Sequence, residues 1–556
     1  MAQTPRYPQL IFLGGLQAIG RNSTAIHYEN DLLLIDAGLQ FPEADMYGVE
    51  RLIPNFDYIY QNESQLKGIV FTHAHEDHIG AAPFLLRRLH PTTIYGSPFT
   101  LAMLKQKLKK NGVSAKHHFQ ELRPGKRTSV GKVSIELVQV AHSVPDNMAV
   151  FVRTPKGNIL HSSDFKIDHS PVDKRPTDLR RLAEIGSEGV DVLLADSTNA
   201  TEEGMTVSER VVGETLNQVM SNAPSRIVMA TFASNIHRIQ QMLWAAKAHD
   251  RKVVVLGTSM ADTLQLAQRM GYVELDPQML VKPSDVGRHE RHRLLLICTG
   301  SQGEPQSALS RLAQSDYQGL QIEQDDTVLL SADPIPGNEL FVNRVVNACL
   351  RRGARVINEL ENVHVSGHGC REEQKMLLAL IKPQHFIPIH GEYRMLAAHK
   401  ASAVSLGMAA ENIMIASNGD VVELQKNRLK VVKRIPADPL FVDGNSLAQP
   451  GDRVFVDRKN MAEQGLVSIS ALMNLETLTL VGEPVVLTRG CFYESEMDAQ
   501  VKAVVAVLHE SCRRIKKQGN LPVNQLRKRM QDELYAYLAS ALRRKPIVLL
   551  VLHGQN

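Results

Sequence analysis

Over roughly the first 200 residues, short apolar runs are closed by polar or turn-forming residues. Leu10–Leu13 ends at Gly14-Gly15, Leu32–Ile35 at Asp36-Ala37-Gly38, Gly68–Phe71 at Thr72-His73, and Val192–Leu194 at Ala195-Asp196. Short apolar runs with such punctuation predict strands buried on at least one face. Between them, Ala81–Leu89 and Pro98–Lys110 read as helices, so the pattern is α/β and function is expected at the strand ends.

From about Thr206 to Arg352 the rhythm changes. Longer helical segments, Ser208–Asn222 and Asn235–His249, alternate with isolated strands at Ile227–Ala230 and Val253–Leu256. This predicts a second α/β unit inserted within the first, which resumes over 353–431 after a first part at 1–205 and an insert at 206–352. Pro436, Pro439, Pro450 and Gly451 make 432–453 a breaker-rich linker, leaving 454–556 as a small separate α+β unit.

At about 100–200 residues per domain, a chain of 556 residues accommodates this organisation. With 43% apolar and 22% charged residues, disordered, collagen-like and coiled-coil classes are excluded. The net charge of +4 decides little, but it is unevenly spread: residues 501–556 hold 11 Lys/Arg against 3 Asp/Glu. Such a run reads either as a solvated helix face or as an RNA-attracting surface. The five cysteines, Cys298, Cys349, Cys370, Cys491 and Cys512, are scattered and never form Cys-x-x-Cys, which fits neither a disulfide framework nor a cysteine zinc knuckle. Met1–Leu16 lacks the apolar core of a signal peptide and no apolar run approaches the ~18 residues of a membrane span, so a cytoplasmic protein with no membrane partner is expected.

Chemistry concentrates in Thr72-His73-Ala74-His75-Glu76-Asp77-His78-Ile79-Gly80. With His at roughly 0.04 and Asp at roughly 0.05 per position, H-x-H-x-D-H arises by accident in about one chain in several hundred of this length. Imidazole nitrogen and carboxylate oxygen suit zinc or a comparable divalent ion. In an extended loop His73 and His75 point the same way, while Asp77 and His78 at the next helix start turn toward a second ion. His142, Asp164 and His390 each follow a strand-like run and are candidates to complete the coordination. Taken singly, each is a weak signal, because a lone histidine near a strand end is usually structural and an aspartate before a turn is usually a cap.

Together these segments resemble the metallo-β-lactamase superfamily. Asp196-Ser197-Thr198-Asn199 is similar to motif A of the β-CASP nucleases, His364-Val365-Ser366-Gly367-His368 to motif B, and His390 to motif C, which is His in RNA-acting members and Val in DNA-acting ones. Thr231–Arg238, Thr299–Pro305, Pro334–Glu339, His390–Arg394 and Val442–Asn445 extend the resemblance to the ribonuclease J family over nearly the whole chain. Thr258, Asp333 and Gly369 depart from that family's usual residues.

The resemblance implies a metallo-β-lactamase αββα sandwich with an inserted β-CASP α/β domain and an α+β C-terminal domain that supports a homodimer or homotetramer. It implies two Zn2+ per subunit, with Mn2+ or Mg2+ as alternatives in turnover. His73, His75 and His142 would hold one ion, Asp77, His78 and His390 the other, with Asp164 bridging. Two cations bridged by one carboxylate share a water whose pKa falls far enough to supply hydroxide near neutral pH. Asp77, Asp196 and His368 are the implied catalytic residues, His368 as general acid supported by Asp196. Ser234, Asn235, His364, Val365, Ser366, Gly367 and His368 are the implied phosphate-binding residues, although Ser234 and Asn235 read equally as a helix N-cap.

The implied activity is 5′-to-3′ exonuclease action on 5′-monophosphorylated single-stranded RNA, with internal cleavage as well. It serves RNA decay and rRNA or mRNA maturation, with a helicase or a second ribonuclease as a candidate partner. A small-molecule metallohydrolase would share the histidine motif, but would not need a clamp as large as the insert. A non-catalytic RNA-binding subunit would be expected to lack ligands, and here all seven positions are filled.

Overall fold

The computed structural model describes residues 6–43, 45–114, 116–314, 317–332, 334, 338–357, 363–426, 428–444, 446–517 and 522–555. Asp333, Ile335, Pro336, Gly337 and Asn445, quoted above, lie outside the described residues.

Two sheets form the frame of the first compact unit, which comprises Met1–Phe41 and Arg51–Leu440. The eight-stranded sheet runs, in spatial order, Arg428–Arg434, Asp420–Gln425, Gln9–Gly14, Ser23–Tyr28, Asp31–Ile35, Leu66–Phe71, Thr93–Gly96 and His118–Glu121. The six-stranded sheet runs His385–Ile389, Val192–Asp196, Gly157–His161, Met148–Thr154, Val133–Gln139 and Thr128–Val130. One buried cluster joins them face to face through Leu10, Phe12, Leu33 and Val70 from the first and Leu137, Val150, Val192 and Ile387 from the second. A further cluster packs the helices Leu179–Glu188 and Arg371–Ile381 on the outer face of the six-stranded sheet. Strands such as Met148–Thr154 and Val192–Asp196 are therefore buried on both faces and read as continuous apolar runs. Truncating a fully buried ring such as Phe151 in this packing costs about 3–5 kcal/mol.

The insert is an all-parallel five-stranded sheet in the order Lys252–Leu256, Leu294–Cys298, Ile227–Ala230, Thr327–Leu330 and Arg355–Ile357. Helix Arg210–Asn222 leads into its first strand, and helices Ile236–Ala248, Thr258–Arg269, Ala308–Gln314 and Glu339–Arg351 lie between successive strands. The expected helices and strands of the insert thus form, to within two residues at their ends.

Residues 432–453, expected as a linker, carry more structure than their prolines suggest. Val431, Val432 and Lys433 continue the strand Arg428–Arg434, which pairs antiparallel with Asp420–Gln425. Leu440–Asp443 and Ser446–Ala448 form a hairpin. Pro436 and Pro439 fall between these strands, where the missing N–H costs no ladder bond.

The second unit comprises Pro42–Glu50 and Phe441–Asn556. Asp45 pairs with Lys459 at 2.8 Å across 414 residues of sequence. Its sheet has Leu466–Asn474 at the centre, antiparallel to Thr479–Arg489 and parallel to Ile547–Gln555. Val467, Ile469, Ala471 and Met473 alternate inward against Leu508 and Ile515 of the helix Met497–Lys516 and Met530 and Leu534 of Val523–Leu542.

Candidate metal centre

Strand ends from both sheets of the sandwich converge on one site. Gly157–His161, Val192–Asp196 and His385–Ile389 are parallel neighbours, so Asp164, Asp196 and His390 arrive side by side at their carboxyl ends. His73 and His75 follow Leu66–Phe71, Asp77 and His78 lie in the one-turn helix Glu76–Ile79, and His142 follows Val133–Gln139.

Three overlapping donor groups result. His73, His75, His142 and Asp164 make one, Asp77, His78, Asp164 and His390 the second, and Asp164, Asp196, His368 and His390 the third, the ligand atoms of each lying within 4.8 Å of one another. Asp164 belongs to all three. Its Oδ2 lies 3.2 Å from His78 Nε2, 3.5 Å from His73 Nε2 and 3.7 Å from His142 Nε2, and its Oδ1 lies 3.7 Å from His390 Nε2. His75 turns Nδ1 inward, 3.1 Å from His73 Nε2 and 3.0 Å from His142 Nε2.

Outer partners fix which nitrogen faces the centre. His142 Nδ1 donates to the Gly367 carbonyl at 2.7 Å, His78 Nδ1 to Asp36 at 2.7 Å, and His390 Nδ1 to Thr198 Oγ1 at 2.6 Å, that hydroxyl itself donating to Asp196. Each bond keeps a ring proton on Nδ1 and turns Nε2 toward the centre. Asp36, Ser163 and His390 adopt left-handed backbone at φ 61°, 58° and 53°, a strain of order 1–3 kcal/mol each for such residues.

Burial holds His75 down to about 4 and His73 and His142 well below the ordinary imidazole value, so these rings are neutral. Burial acts the same way on His78 and His390, but the surrounding carboxylates outweigh it. Asp164 leads in both cases, and both rings are held well above the ordinary value. Asp77, Asp164 and Asp196 are in turn held well below the usual carboxylate range, the neighbouring histidines overcoming burial.

His368 stands beside the second group. Its Nδ1 lies 2.7 Å from Asp196 Oδ2 and its Nε2 3.9 Å from Asp164 Oδ2. Burial is outweighed by these two carboxylates and the imidazole is raised. His364, Val365, Ser366 and Gly367 form the loop leading to it, and Arg238 of the inserted domain reaches His364 Nδ1 at 2.6 Å. Asn235 caps the helix Ile236–Ala248, its side chain accepting from the Arg238 amide, so the capping reading holds for it. Ser234 precedes it, half-buried. Thr258 opens the helix Thr258–Arg269, and a Cβ on Gly369 would press on Glu373 Cβ at 3.0 Å.

Residues 224–349 match the family described as Ribonuclease J, beta-CASP domain, and 453–554 the Ribonuclease J C-terminal domain. Residues 17–194 match the metallo-beta-lactamase superfamily and 353–415 the Zn-dependent metallo-hydrolase RNA specificity domain. The chain is 36% identical to Ribonuclease J 1 of Streptococcus pyogenes over 97% of its length and 96% of that protein's. The chain belongs to the ribonuclease J family.

Ribonuclease J2 of Bacillus subtilis is 34% identical over 97% of each chain, and ribonuclease J of Thermus thermophilus 40% identical over 84% of this chain and 82% of its own. A crystal structure of a protein of unknown function from Enterococcus faecalis V583 shares the fold, with a TM-score of 0.52 and 15% identity, covering 75% of this chain and all of that one. As a ribonuclease J, the chain is a metal-dependent nuclease that binds RNA and hydrolyses phosphodiesters. The metallo-β-lactamase frame, the inserted β-CASP domain and the C-terminal domain expected from the motifs are all present. No helix among the described residues is long and apolar enough to cross a membrane.

The donor set of this ribonuclease J fits divalent cations. Five imidazoles and two carboxylates, nearly all buried, bring one ligand atom each to within 4.8 Å of the others in their group, and nitrogen and oxygen donors gathered this closely suit divalent cations once the protonated rings release their protons. Sequence reasoning missed Asp36, which closes a strand end as the ligands do and accepts from Thr72 N, Thr72 Oγ1 and His78. It also missed Asn147, whose amide donates to the Asp164 carbonyl at 2.5 Å and whose Oδ1 accepts from Ser163. Asn147 carries no local signal.

Proposed function

We propose that the chain is a zinc-dependent ribonuclease that degrades 5′-monophosphorylated single-stranded RNA from its 5′ end and also cuts internally. Asp164 shared between two four-residue donor groups, with the His368–Asp196 pair beside them, carries this reading. His73, His75 and His142 would hold one cation and Asp77, His78 and His390 the other, with Asp164 within reach of both groups. Two such cations polarise a phosphate oxygen and lower the pKa of water when bound.

The chain's own residues supply the rest. Asp196 accepts from His368 Nδ1–H, fixes the ring, and stabilises its protonated form. As a water oxygen bonds to phosphorus and the P–O3′ bond breaks, His368 Nε2 gives its proton to the departing 3′ oxygen. The next nucleotide is left with a 5′-phosphate, so each product is a new substrate of the same kind. The loop His364–Gly367, with Ser234 on the inserted domain, receives that phosphate. His390 at motif C favours RNA over DNA.

The C-terminal unit supports self-association through the outer face of its sheet. There Leu487, Ser468 and Leu549 form one cross-strand row and Val485, Ser470 and Val551 the next, with the four aliphatic side chains 47–61% exposed. Exposed apolar rows of this kind mark an interface, and a second copy presents the same rows.

Incubating the metal-loaded protein with one single-stranded RNA and the matching DNA, with and without chelator, tests the reading. RNA-selective degradation abolished by chelator is expected. Equal cleavage of DNA, or full RNA cleavage in the chelated protein, would refute it.

A further inference from the structure

The loop that carries motif B has an unusual hydrogen-bond polarity. Four consecutive carbonyls are each taken by a donor from a different element. Val365 O accepts from Arg238 Nη2 at 3.3 Å, Ser366 O from Lys166 Nζ at 3.2 Å, and Gly367 O from His142 Nδ1 at 2.7 Å. His368 O accepts from Asn199 Nδ2 at 3.0 Å and from Thr206 Oγ1 at 2.8 Å. Arg238 is fully buried and Lys166 is 2% exposed, each held by a carboxylate of its own, Glu209 and Asp168 respectively.

The side chains follow the same rule. Ser366 Oγ accepts from Asn199 Nδ2 at 2.9 Å and from the His368 amide at 3.1 Å. A hydroxyl oxygen has two lone pairs, so with both filled Ser366 can only donate. Arg238 has no acceptor, so its contact with His364 Nδ1 makes that nitrogen the acceptor and puts the ring proton on Nε2. Among the described residues, no acceptor faces the amides of Ser366 and Gly367.

We propose that this loop is a donor-only surface whose polarity is set from behind, and that Asn199 is the positioning residue that turns the Ser366 hydroxyl outward toward a terminal phosphate. The proposal rests on the 5′-phosphate reading above and names what makes that pocket selective. An anionic phosphate oxygen accepts from the Ser366 hydroxyl and from the Ser366 and Gly367 amides. A 5′-hydroxyl brings no charge, and a carboxylate-bearing competitor lacks the third oxygen. Without Asn199, the Ser366 proton is free to turn inward and present a lone pair to the phosphate, reversing the contact.

The test compares kcat/KM on one RNA sequence carrying a 5′-monophosphate or a 5′-hydroxyl, in the full-length, metal-loaded enzyme. Wild type should favour the monophosphate by about 10- to 100-fold, the range expected for hydrogen bonds to a charged group. Asn199→Leu removes the donor, and Asn199→Asp keeps the shape while replacing the donor with an acceptor. Either change should bring the ratio to within about threefold of unity, with the loss in KM for the monophosphorylated RNA. In a Ser366→Ala background, Asn199→Leu should move the ratio no further, because Asn199 acts through that hydroxyl. An unchanged ratio in both Asn199 variants, or a full additional loss in the Ser366→Ala background, overturns the inference. A wild-type ratio of unity overturns the 5′-phosphate reading itself, and the inference with it.

Discussion

His142 Nδ1 donates to the carbonyl of Gly367 at 2.7 Å, joining a candidate metal ligand to the motif B loop across 225 residues of sequence. The contact depends on glycine. A Cβ at position 367 would stand 2.6 Å from His142 Cε1 and 2.7 Å from its Nδ1, with Ser143 Oγ at 3.1 Å.

Gly367→Ala should therefore displace the His142 ring. Disturbing an outer partner of a metal-binding histidine typically weakens the metal by about 10- to 100-fold. Calorimetric titration of the apo-protein with Zn2+ should show that loss at the first donor group, and unchanged affinity would mean that His142 is not a ligand.

Cation binding should weaken as the solution becomes acidic. His78 and His390 carry protons well above the ordinary imidazole value in the metal-free protein, held by Asp164 and its neighbouring carboxylates against the effect of burial. Both protons must leave when Nε2 becomes a ligand, so binding releases protons and a fall in pH opposes it. Competition against a chelator of known pH dependence, run at pH 6 and pH 8, should give the weaker affinity at pH 6. A pH-independent affinity would contradict this allocation.

The acid role of His368 predicts an alkaline limb in the pH–rate profile. Its pKa is raised, burial being outweighed by Asp196 and Asp164, so the proton-donating form persists above the ordinary imidazole value and is lost as pH rises through the raised one. His368→Ala should slow cleavage by about 10²- to 10⁴-fold and abolish the limb. Asp196→Asn, which removes the charge 2.7 Å from Nδ1, should move the limb to lower pH. A limb retained by His368→Ala would assign the acid elsewhere.

Self-association should follow the apolar face of the C-terminal sheet. Val485→Lys with Leu487→Lys places charge on two outward residues 58% and 61% exposed, leaving the inward core of Val467, Ile469 and Met473 intact. Sedimentation should show dissociation of dimers or tetramers without loss of fold. An unchanged oligomer would place the interface on another surface.

Much of this arrangement was readable from the chain because its chemistry is local. His73, His75, Asp77 and His78 fall in one stretch, and one extended loop and one helical turn suffice to aim them at two ions. Asp164 and His390 were marked by their place at strand ends, which a parallel sheet brings together. Arg238 closes the segment Thr231–Arg238 and Lys166 follows Asp164 closely, but the role of neither was legible, because their partners His364 and Ser366 lie 126 and 200 residues away. Asn199 stood within motif A, yet its two bonds to the motif B loop appear only when both strands are in place. The 432–453 stretch shows the opposite case: its prolines dominate locally and the boundary between the two compact units falls within it, while Lys433 and Arg434 at its start are held by pairing with Val421 and Asp420.

The most direct test follows one RNA labelled at its 5′ end and, separately, at its 3′ end, with a 5′-monophosphate in both cases and Asp77→Ala as control. The account predicts labelled mononucleotide released from the 5′-labelled substrate, 3′-labelled RNA shortened from its 5′ side with internal fragments alongside, and no product from Asp77→Ala. Mononucleotide released first from the 3′ label, or the same products from Asp77→Ala, would contradict it.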